Sequence, residues 1–299
     1  MSPPGRPQGE YRRAQPGGTP VTFGPNPWQQ QSWDARAAGN FIGGGAGCGL
    51  LIFTTLAGAP GSLRQGLLVL ALLLVSAGLL CVWAEIGRPW RAINVLFHPQ
   101  ASWMSREALV APLLLGCGAA ALVWPALQPP AALLAAAFLY CQARILHAAR
   151  GIPAWREPMT VPLLVATGLA EGAGLYWLAA PAWGAGGTAA WIGFGVLLAL
   201  RFAVGARWYR RLVPVLRPAA LSAVNRAGHG YNAGSLLPLA LVLLVLAAPL
   251  PPVLAGLLQV LAGALAVAGG ALFKFLLVTR AGFNQGFALP HLPVRGVRR

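Results

Sequence analysis

Charged residues are scarce in this 299-residue chain, and acidic residues are the scarcest of all. Only 9% of the residues are charged, with six Asp and Glu against 22 Lys and Arg. A soluble domain carries about a quarter charged residues, so the composition excludes a soluble globular protein. Runs of about 20 apolar residues recur instead, the length that crosses the hydrocarbon core of a bilayer. The sequence therefore predicts an all-α, polytopic membrane protein.

Ligands for metals and redox cofactors are equally few. The four cysteines lie singly inside apolar runs, without the close spacing that zinc sites and iron–sulfur clusters need. His98 and His229 lie in predicted connections and His291 in the C-terminal tail, so a b-type haem lacks its two facing histidines. We predict no metal, haem, iron–sulfur cluster or molybdenum in this chain.

Eight membrane spans are predicted from the apolar runs and the turns between them. Tight, nearly uncharged turns alternate with longer basic connections at 87–105, 150–158 and 208–233. The predicted spans cover residues 36–58, 63–86, 106–125, 129–149, 159–180, 187–207, 234–249 and 252–278.

The distribution of Lys and Arg predicts the orientation. Of the 22 Lys and Arg, only Arg64 lies on the side reached by the tight turns. Cytoplasmic loops carry the Lys and Arg excess, so we expect both termini to be cytoplasmic, in a multi-pass protein of the cytoplasmic (inner) membrane. The net charge of +16 follows the span ends rather than one basic face, so we expect membrane lipids and no nucleic acid as partners.

The first span contains the glycine-rich stretch "GNFIGGGAGCGLL". Its glycines form two GxxxG pairs, Gly43/Gly47 and Gly45/Gly49, and such pairs let a second helix approach closely. The GxGxxG spacing of a nucleotide-binding loop is not met. The stretch therefore predicts helix packing.

The stretch "EIGRPWRAINVLFHPQASWMSRE" joins the second and third spans and holds two of the six acids, Glu85 and Glu107. One interpretation is structural: Arg–Glu pairs and tryptophans are common at membrane interfaces. The other is a quinone site, which needs a flat apolar slot, hydrogen-bond donors and a carboxyl group that can pass protons. Both interpretations remain open on composition alone.

Two stretches and one asparagine carry a resemblance to a known family. They are "GRPWRAIN…SWMSRE", "YCQARILHAARGIPAWREP" and the asparagine that precedes the glycine-rich face. The chain resembles the membrane anchor subunits of the dimethyl sulfoxide reductase and polysulfide reductase families, most closely over 34–160. Many of those anchors have a histidine where this chain has Glu85, which is a departure from the family pattern.

The resemblance implies a quinone site near a partner iron–sulfur subunit, built from the first four helices. By position, Glu107 and Glu85 would be catalytic and would handle protons. The quinone-binding residues would be Asn40, Arg88, Trp90, Tyr140 and Arg144.

Two stretches, one near each end of the chain, resemble one kind of membrane anchor subunit in particular. The stretches "FGPNPWQQQSWD" and "KFLLVTRAGFNQGFALPHLPVRG" look like those of membrane subunits of phenylacetyl-CoA:acceptor oxidoreductases. This implies an iron–sulfur subunit and a molybdenum catalytic subunit on the cytoplasmic face, which oxidise phenylacetyl-CoA to phenylglyoxylate. The chain would then be the quinone-reducing subunit of a multi-subunit enzyme, with ubiquinone or menaquinone as acceptor.

This interpretation divides the chain into four parts. Residues 1–35 would be a polar tail that docks partner subunits, and 280–299 a basic C-terminal tail. Residues 36–150 would be the four-helix half with the quinone site, and 151–279 the second four-helix half.

Glu171 is the only acid deep inside a span, in "TGLAEGAGLYWL". We expect a structural pair with Arg201 on the next helix, and a proton path is the alternative, since acids inside membranes often serve one. Two other functions are open to a polytopic membrane protein of this kind. A secondary transporter of a small solute would bind at the midplane on broken helices, and an intramembrane protease would need a nucleophile and base at matched depth.

We expect the chain to purify from its native membrane with an iron–sulfur protein and a molybdenum protein. Aromatic residues of the tail such as Trp28 and Trp33 should lie in the contact, because basic and aromatic groups concentrate on that face. Affinity purification with peptide mass spectrometry tests the partners. Protease treatment of oriented vesicles tests the orientation, which cleavage of the C-terminal tail only from the periplasmic side would contradict.

Overall fold

The computed structural model describes residues 27–85, 89–149 and 151–285, and every regular element within them is helical. Eight of these helices are long and apolar enough to cross a membrane, which confirms a helical, multi-pass membrane fold. The eight are α1 (Ala35–Ala57), α2 (Gly61–Glu85), α3 (Trp103–Val123), α4 (Gln128–Ala148), α6 (Thr160–Ala179), α7 (Thr188–Leu212), α8 (Pro218–Ala247) and α9 (Pro252–Thr279), and the short α5 (Pro153–Arg156) lies between α4 and α6.

Helix α8 is the one that differs most from its predicted span. It begins at Pro218 rather than at residue 234, so most of the predicted connection 208–233 is helical and that prediction is wrong. Proline at the first helical position and the alanines after it favour helix. Gly230 and Gly234 do not end the helix, because both pack against α9: a Cβ on Gly234 would lie 2.6 Å from the Cα of Gly269.

Helices α1 and α6 form the centre of the bundle. In their most apolar windows 67% and 72% of the residues are buried, against 28% in α2, α3 and α8. Helix α1 packs against α2, α4, α6 and α9, and α6 packs also against α7 and α9. The outer helices present exposed leucines, such as Leu73, Leu113 and Leu243, as expected of surfaces that face lipid.

Glycine backbones allow α1 to approach its neighbours closely. A Cβ on Gly43 would lie 2.7 Å from the carbonyl oxygen of Leu74 in α2, and one on Gly47 would lie 2.6 Å from that of Ala71. On the other side, Gly49 meets α6, where a Cβ on Gly172 would overlap the Gly49 backbone. The close approach predicted from the GxxxG pairs is confirmed, and the two pairs serve different helices.

The two ends of the described chain are bound to each other. The Gln30 amide donates to the Gly282 carbonyl at 2.8 Å, and the Asn284 amide donates to the Trp28 carbonyl at 3.1 Å. We call residues 27–34 together with 279–285 the terminal clasp. It lies across one end of the bundle, where the Trp33 ring is 5.0 Å from that of Trp155.

Replacing Gly172 by alanine should lower the thermal stability of the purified protein strongly. The added Cβ would overlap the α1 backbone, and overpacking of this kind costs about 1–3 kcal/mol or more. Gly193 in α7 is the matched control, because a Cβ there has no atom within 4 Å. Melting temperatures in detergent measure both variants, and equal temperatures for the two would contradict the close α1–α6 contact.

Candidate functional site

One end of the bundle collects most of the charged and aromatic side chains. Antiparallel packing brings the starts of α1, α3, α6 and α8 together with the ends of α2, α4, α7 and α9. We call this the basic end, because most of the described arginines lie there. Five of the site residues predicted from sequence lie within about three helical turns of it, and they are Asn40, Glu85, Glu107, Tyr140 and Arg144.

Glu107 is a buried carboxyl group near the start of α3. The helix begins at Ser102, whose hydroxyl accepts from the Ser105 amide at 3.3 Å. One turn later Glu107 points inward, with 5% of its surface exposed, and the amide of the equally buried Asn40 lies beside it. The described residues offer no hydrogen-bond partner to Glu107 Oε1 or Asn40 Oδ1. Both oxygens are acceptors, so a proton on the carboxyl group or a donor from a bound molecule would satisfy them.

An aromatic and cationic patch lies next to Glu107, and we call it the Trp103 patch. The rings of Trp103 and Tyr140 meet edge to face with centroids 5.7 Å apart. The guanidinium groups of Arg106 and Arg144 lie 4.0 and 4.5 Å from the Trp103 ring centroid. Arg144 also donates to the Tyr140 hydroxyl at 3.2 Å, and Tyr140 is 44% exposed. The patch therefore offers ring surfaces and N–H donors on the outside of the bundle.

The Trp103 patch and Glu107 belong to the same side of the α3–α4 contact. Trp103 and Glu107 are four residues apart, which places them on one face of α3. Cys141, beside Tyr140 on α4, has both Glu107 and Arg106 as charged neighbours. In the described part of the chain the buried Arg144 Nε has no acceptor. A flat molecule with carbonyl oxygens could stack on the patch, accept from the arginine and reach the carboxyl group behind it.

Two members of the patch, Trp103 and Arg106, were not among the predicted site residues. The sequence carried a signal for both, because they precede Glu107 by four residues and by one. Their part in the patch depends on α4 lying beside α3, which the apolar pattern of each helix does not specify.

Glu85 lies in a different environment from Glu107. It ends α2, and its charged neighbours are Asp34 and Arg36 at the start of α1. Arg36 donates to the Ala84 carbonyl at 2.9 Å and pairs with Asp34 at 2.8 Å. The hydrogen bonds that Arg36 donates to Asp34 lower the pKa of the exposed Asp34 carboxyl group, which caps α1. Glu85 therefore lies where the end of α2 meets the start of α1.

The side chains of two other predicted residues, Arg88 and Trp90, lie outside the part of the chain that the structure describes. Arg88 lies outside the described residues, and of Trp90 only the backbone is described, in the 3₁₀ helix Pro89–Phe97. In the tail, Trp33 packs within the chain on Phe41 and Trp155, whereas Trp28 is 54% exposed.

A second polar group, the central cluster, lies deeper in the bundle and consists of Glu171, Arg201, Tyr231 and Lys274. Lys274 Nζ lies 2.5 Å from Glu171 Oε2 and donates to the Phe41 carbonyl at 2.9 Å. Arg201 donates to the Ala266 carbonyl at 3.0 Å and lies 4.9 Å from the centroid of the Tyr231 ring. Glu171, Arg201 and Lys274 are each at most 1% exposed. Two cations and one carboxyl group are thus enclosed by five helices.

The expected ion pair between Glu171 and Arg201 is wrong, because Glu171 pairs with Lys274 of α9. Helix α9 packs against α6 where Gly174 meets Gly263, and a Cβ on Gly263 would lie 2.5 Å from the Gly174 carbonyl oxygen. The apolar pattern of the sequence predicts the helices but not which of them are neighbours. The contact between α6 and α9 was therefore not expected. Lys274 is therefore a functional candidate that the sequence analysis missed.

Buried polar groups connect Glu107 with the central cluster. Gln142 of α4 donates to the Asn40 carbonyl at 2.8 Å. A Cβ built on Gly45 would overlap Lys274 Nζ and lie 3.4 Å from Gln142 Oε1. Both atoms therefore lie beside the same glycine. The order Glu107, Asn40, Gln142, Lys274, Glu171 therefore runs from the basic end to the middle of the bundle, and we call it the polar line.

Comparison with models of protein families and with curated proteins gave no match to this chain. The functional assignment therefore depends on the chemistry of the residues described above.

Single replacements in the central cluster should destabilise the protein more than the double replacement. Lys274→Met leaves Glu171 buried without its partner, and breaking a buried pair costs about 3–5 kcal/mol. Glu171→Leu should cost at least as much, because it leaves Lys274 and Arg201 without a carboxyl group nearby. The double variant removes the Glu171–Lys274 pair as a whole and leaves only Arg201, which keeps its hydrogen bond to the Ala266 carbonyl, so it should recover part of the lost melting temperature. Simple addition of the two losses would contradict direct coupling.

Proposed function

We propose that this chain is the membrane anchor and quinone-reactive subunit of an oxidoreductase complex. The observation that carries the proposal is Glu107, a buried carboxyl group with an oxygen that lacks a partner among the described residues, next to the partly exposed Trp103 patch. Intramembrane acids are costly and are kept where they bind or move something. Here the acid adjoins a surface that a lipid-soluble molecule can reach.

The residues have separate tasks in this proposal. The rings of Trp103 and Tyr140 hold a flat head group, and the N–H groups of Arg144 with the Tyr140 hydroxyl donate to its oxygen atoms. Asn40 and Glu107 lie at the inner end, where the carboxyl group delivers a proton. A quinone takes up two electrons and two protons when it is reduced to the quinol. The electrons come from a partner subunit.

The nature of the partners rests on the family resemblance. An iron–sulfur subunit passes electrons to ubiquinone or menaquinone, and a molybdenum subunit oxidises phenylacetyl-CoA to phenylglyoxylate. The Lys and Arg excess supports a cytoplasmic position of the basic end in the inner membrane. The exposed Trp28 of the terminal clasp offers an anchor there for a soluble partner.

Glu107 must recover its proton after each transfer, and the polar line is the candidate route inside the chain. The proton itself comes from water, and Glu171 and Lys274 only pass it on. Glu171 and Lys274 are the members of the central cluster that can exchange protons, since a guanidinium group keeps its charge. Asn40 and Gln142 lie between them and Glu107. We assign Glu171 a place on this proton path.

A secondary transporter is the second candidate, and the central cluster is the observation that favours it. Transporters bind solutes and ions near the midplane, on discontinuous helices. Helices α6, α7 and α9, which provide Glu171, Arg201 and Lys274, pass this depth without a break. The unbroken helices and the position of the Trp103 patch at one end favour the quinone-reactive anchor.

Replacing Glu107 by glutamine should stop quinone reduction and leave assembly intact. Glutamine keeps the shape of the side chain but cannot deliver a proton, and the loss of one such group lowers the rate about 10²–10⁴-fold. The assay is substrate-driven reduction of quinone by the complex isolated through a tag on this chain. Reduction of a soluble artificial acceptor should stay normal, because it bypasses the membrane subunit.

Two further carboxyl groups complete the experiment. Glu157→Gln is the matched control, since Glu157 lies at the same end but pairs with Arg211 at 3.2 Å, and it should reduce quinone normally. Glu85→Gln compares the two predicted catalytic acids. Full activity of the Glu107 variant with a loss in the Glu85 variant would move the proton donor to the α1–α2 contact.

A further inference from the structure

A cavity of about 390 Å³ lies between α7 and α8 at the basic end, and we call it the α7–α8 cleft. Its volume falls in the range of small-molecule sites. The floor consists of the rings of Trp208, Tyr231 and Phe273, each at most 3% exposed. The Trp208 N–H donates to the Thr160 hydroxyl at 3.0 Å, and the Tyr231 hydroxyl donates to the Arg201 carbonyl. The polar atoms of these rings are engaged elsewhere, so the floor is apolar.

The rim of the cleft is polar and positively charged. It contains Arg210, His229, Asn225 and Asn232, and no acidic residue lines the cavity among the residues described. The neighbouring carboxyl group of Glu157 is paired with Arg211. Asn225 Oδ1 is buried, and the described residues give it no donor. The rim therefore presents the cationic guanidinium group of Arg210 beside an acceptor that needs a hydroxyl or amine donor.

The cleft lies at the depth of lipid head groups. Helix α8 has 30 residues and is about 45 Å long, whereas the hydrocarbon core is about 30 Å thick. The first turns of α8 therefore extend beyond the core, and residues 225–232 lie near its boundary. One turn further along α8, Leu236 and Leu237 are 43% and 53% exposed. A bound molecule thus meets polar groups at its head and an apolar surface at its tail.

We propose that the α7–α8 cleft binds the head group of an anionic phospholipid that carries hydroxyl groups, of the phosphatidylglycerol type. The phosphate accepts from Arg210 and His229, a hydroxyl group donates to Asn225, and the acyl chains follow the leucines of α8. A quinone fits less well, because its oxygens only accept and cannot donate to Asn225 Oδ1. This site is separate from the Trp103 patch and does not depend on the proposed function.

Lipid binding to the delipidated protein tests the proposal, with dioleoylphosphatidylglycerol and dioleoylphosphatidylcholine as probes in native mass spectrometry. The first lipid should bind at least tenfold more tightly than the second. Arg210→Gln should lower the affinity for dioleoylphosphatidylglycerol about tenfold, which is the contribution of one charge-assisted hydrogen bond. Arg207→Gln is the matched control, since Arg207 is exposed on the same helix but does not line the cleft, and it should bind within twofold of the unaltered protein.

A second variant tests the shape of the cleft rather than its charge. Gly228 lines the cavity, and a Cβ added there has no atom within 4 Å, so Gly228→Leu should fill the cleft without disturbing α8. It should abolish the preference for the anionic lipid at an unchanged melting temperature. Equal binding of both lipids, equal losses in the Arg207 and Arg210 variants, or unchanged binding after Gly228→Leu would overturn the site. So would a photoreactive quinone analogue that labels α7 and α8 and is not displaced by the anionic lipid.

Discussion

The contact between the glycine backbones of α1 and α6 is the constraint on which the rest of the structure depends. Gly49 and Gly172 allow the two helices to meet without side chains between them, and this places both at the centre of the bundle. Helix α9 then fits beside them, where Gly174 meets Gly263. Lys274 reaches Glu171 and the Phe41 carbonyl only because these three helices lie so close together.

The bundle separates two kinds of polar chemistry by depth. At the basic end, aromatic rings and guanidinium groups are exposed and can meet a molecule that arrives from the lipid. In the middle, Glu171, Arg201 and Lys274 are enclosed, where charges are tolerated only with partners. The polar line joins the two levels through Asn40 and Gln142. Buried polar side chains thus connect the two levels, while the outer surfaces of the helices stay apolar.

The sequence predicted much of the fold and part of the candidate site. Apolar run lengths and turn residues gave the eight helices, because both signals are local. The position of Asn40 and Glu107 near one end followed from counting along alternating helices. The partner of Glu171 did not, because a choice between Arg201 and Lys274 depends on which helices are neighbours, and apolar patterns in a membrane do not encode this. The start of α8 was missed for a related reason: its glycines resemble a loop until α9 is packed against them.

The terminal clasp has a consequence for how the protein is made. Helix α1 leaves the ribosome first, yet two of its neighbours are α6 and α9, and its N-terminal segment pairs with residues 279–285. At a synthesis rate of about 5–20 residues per second, the delay between them is on the order of tens of seconds. During that time the glycine face of α1 and the carboxyl group of Glu171 lie in the bilayer without their final partners. Within the described part of the chain, the contacts of α1 and of Glu171 are therefore completed only after α9 is made, and the pairing within the clasp follows it.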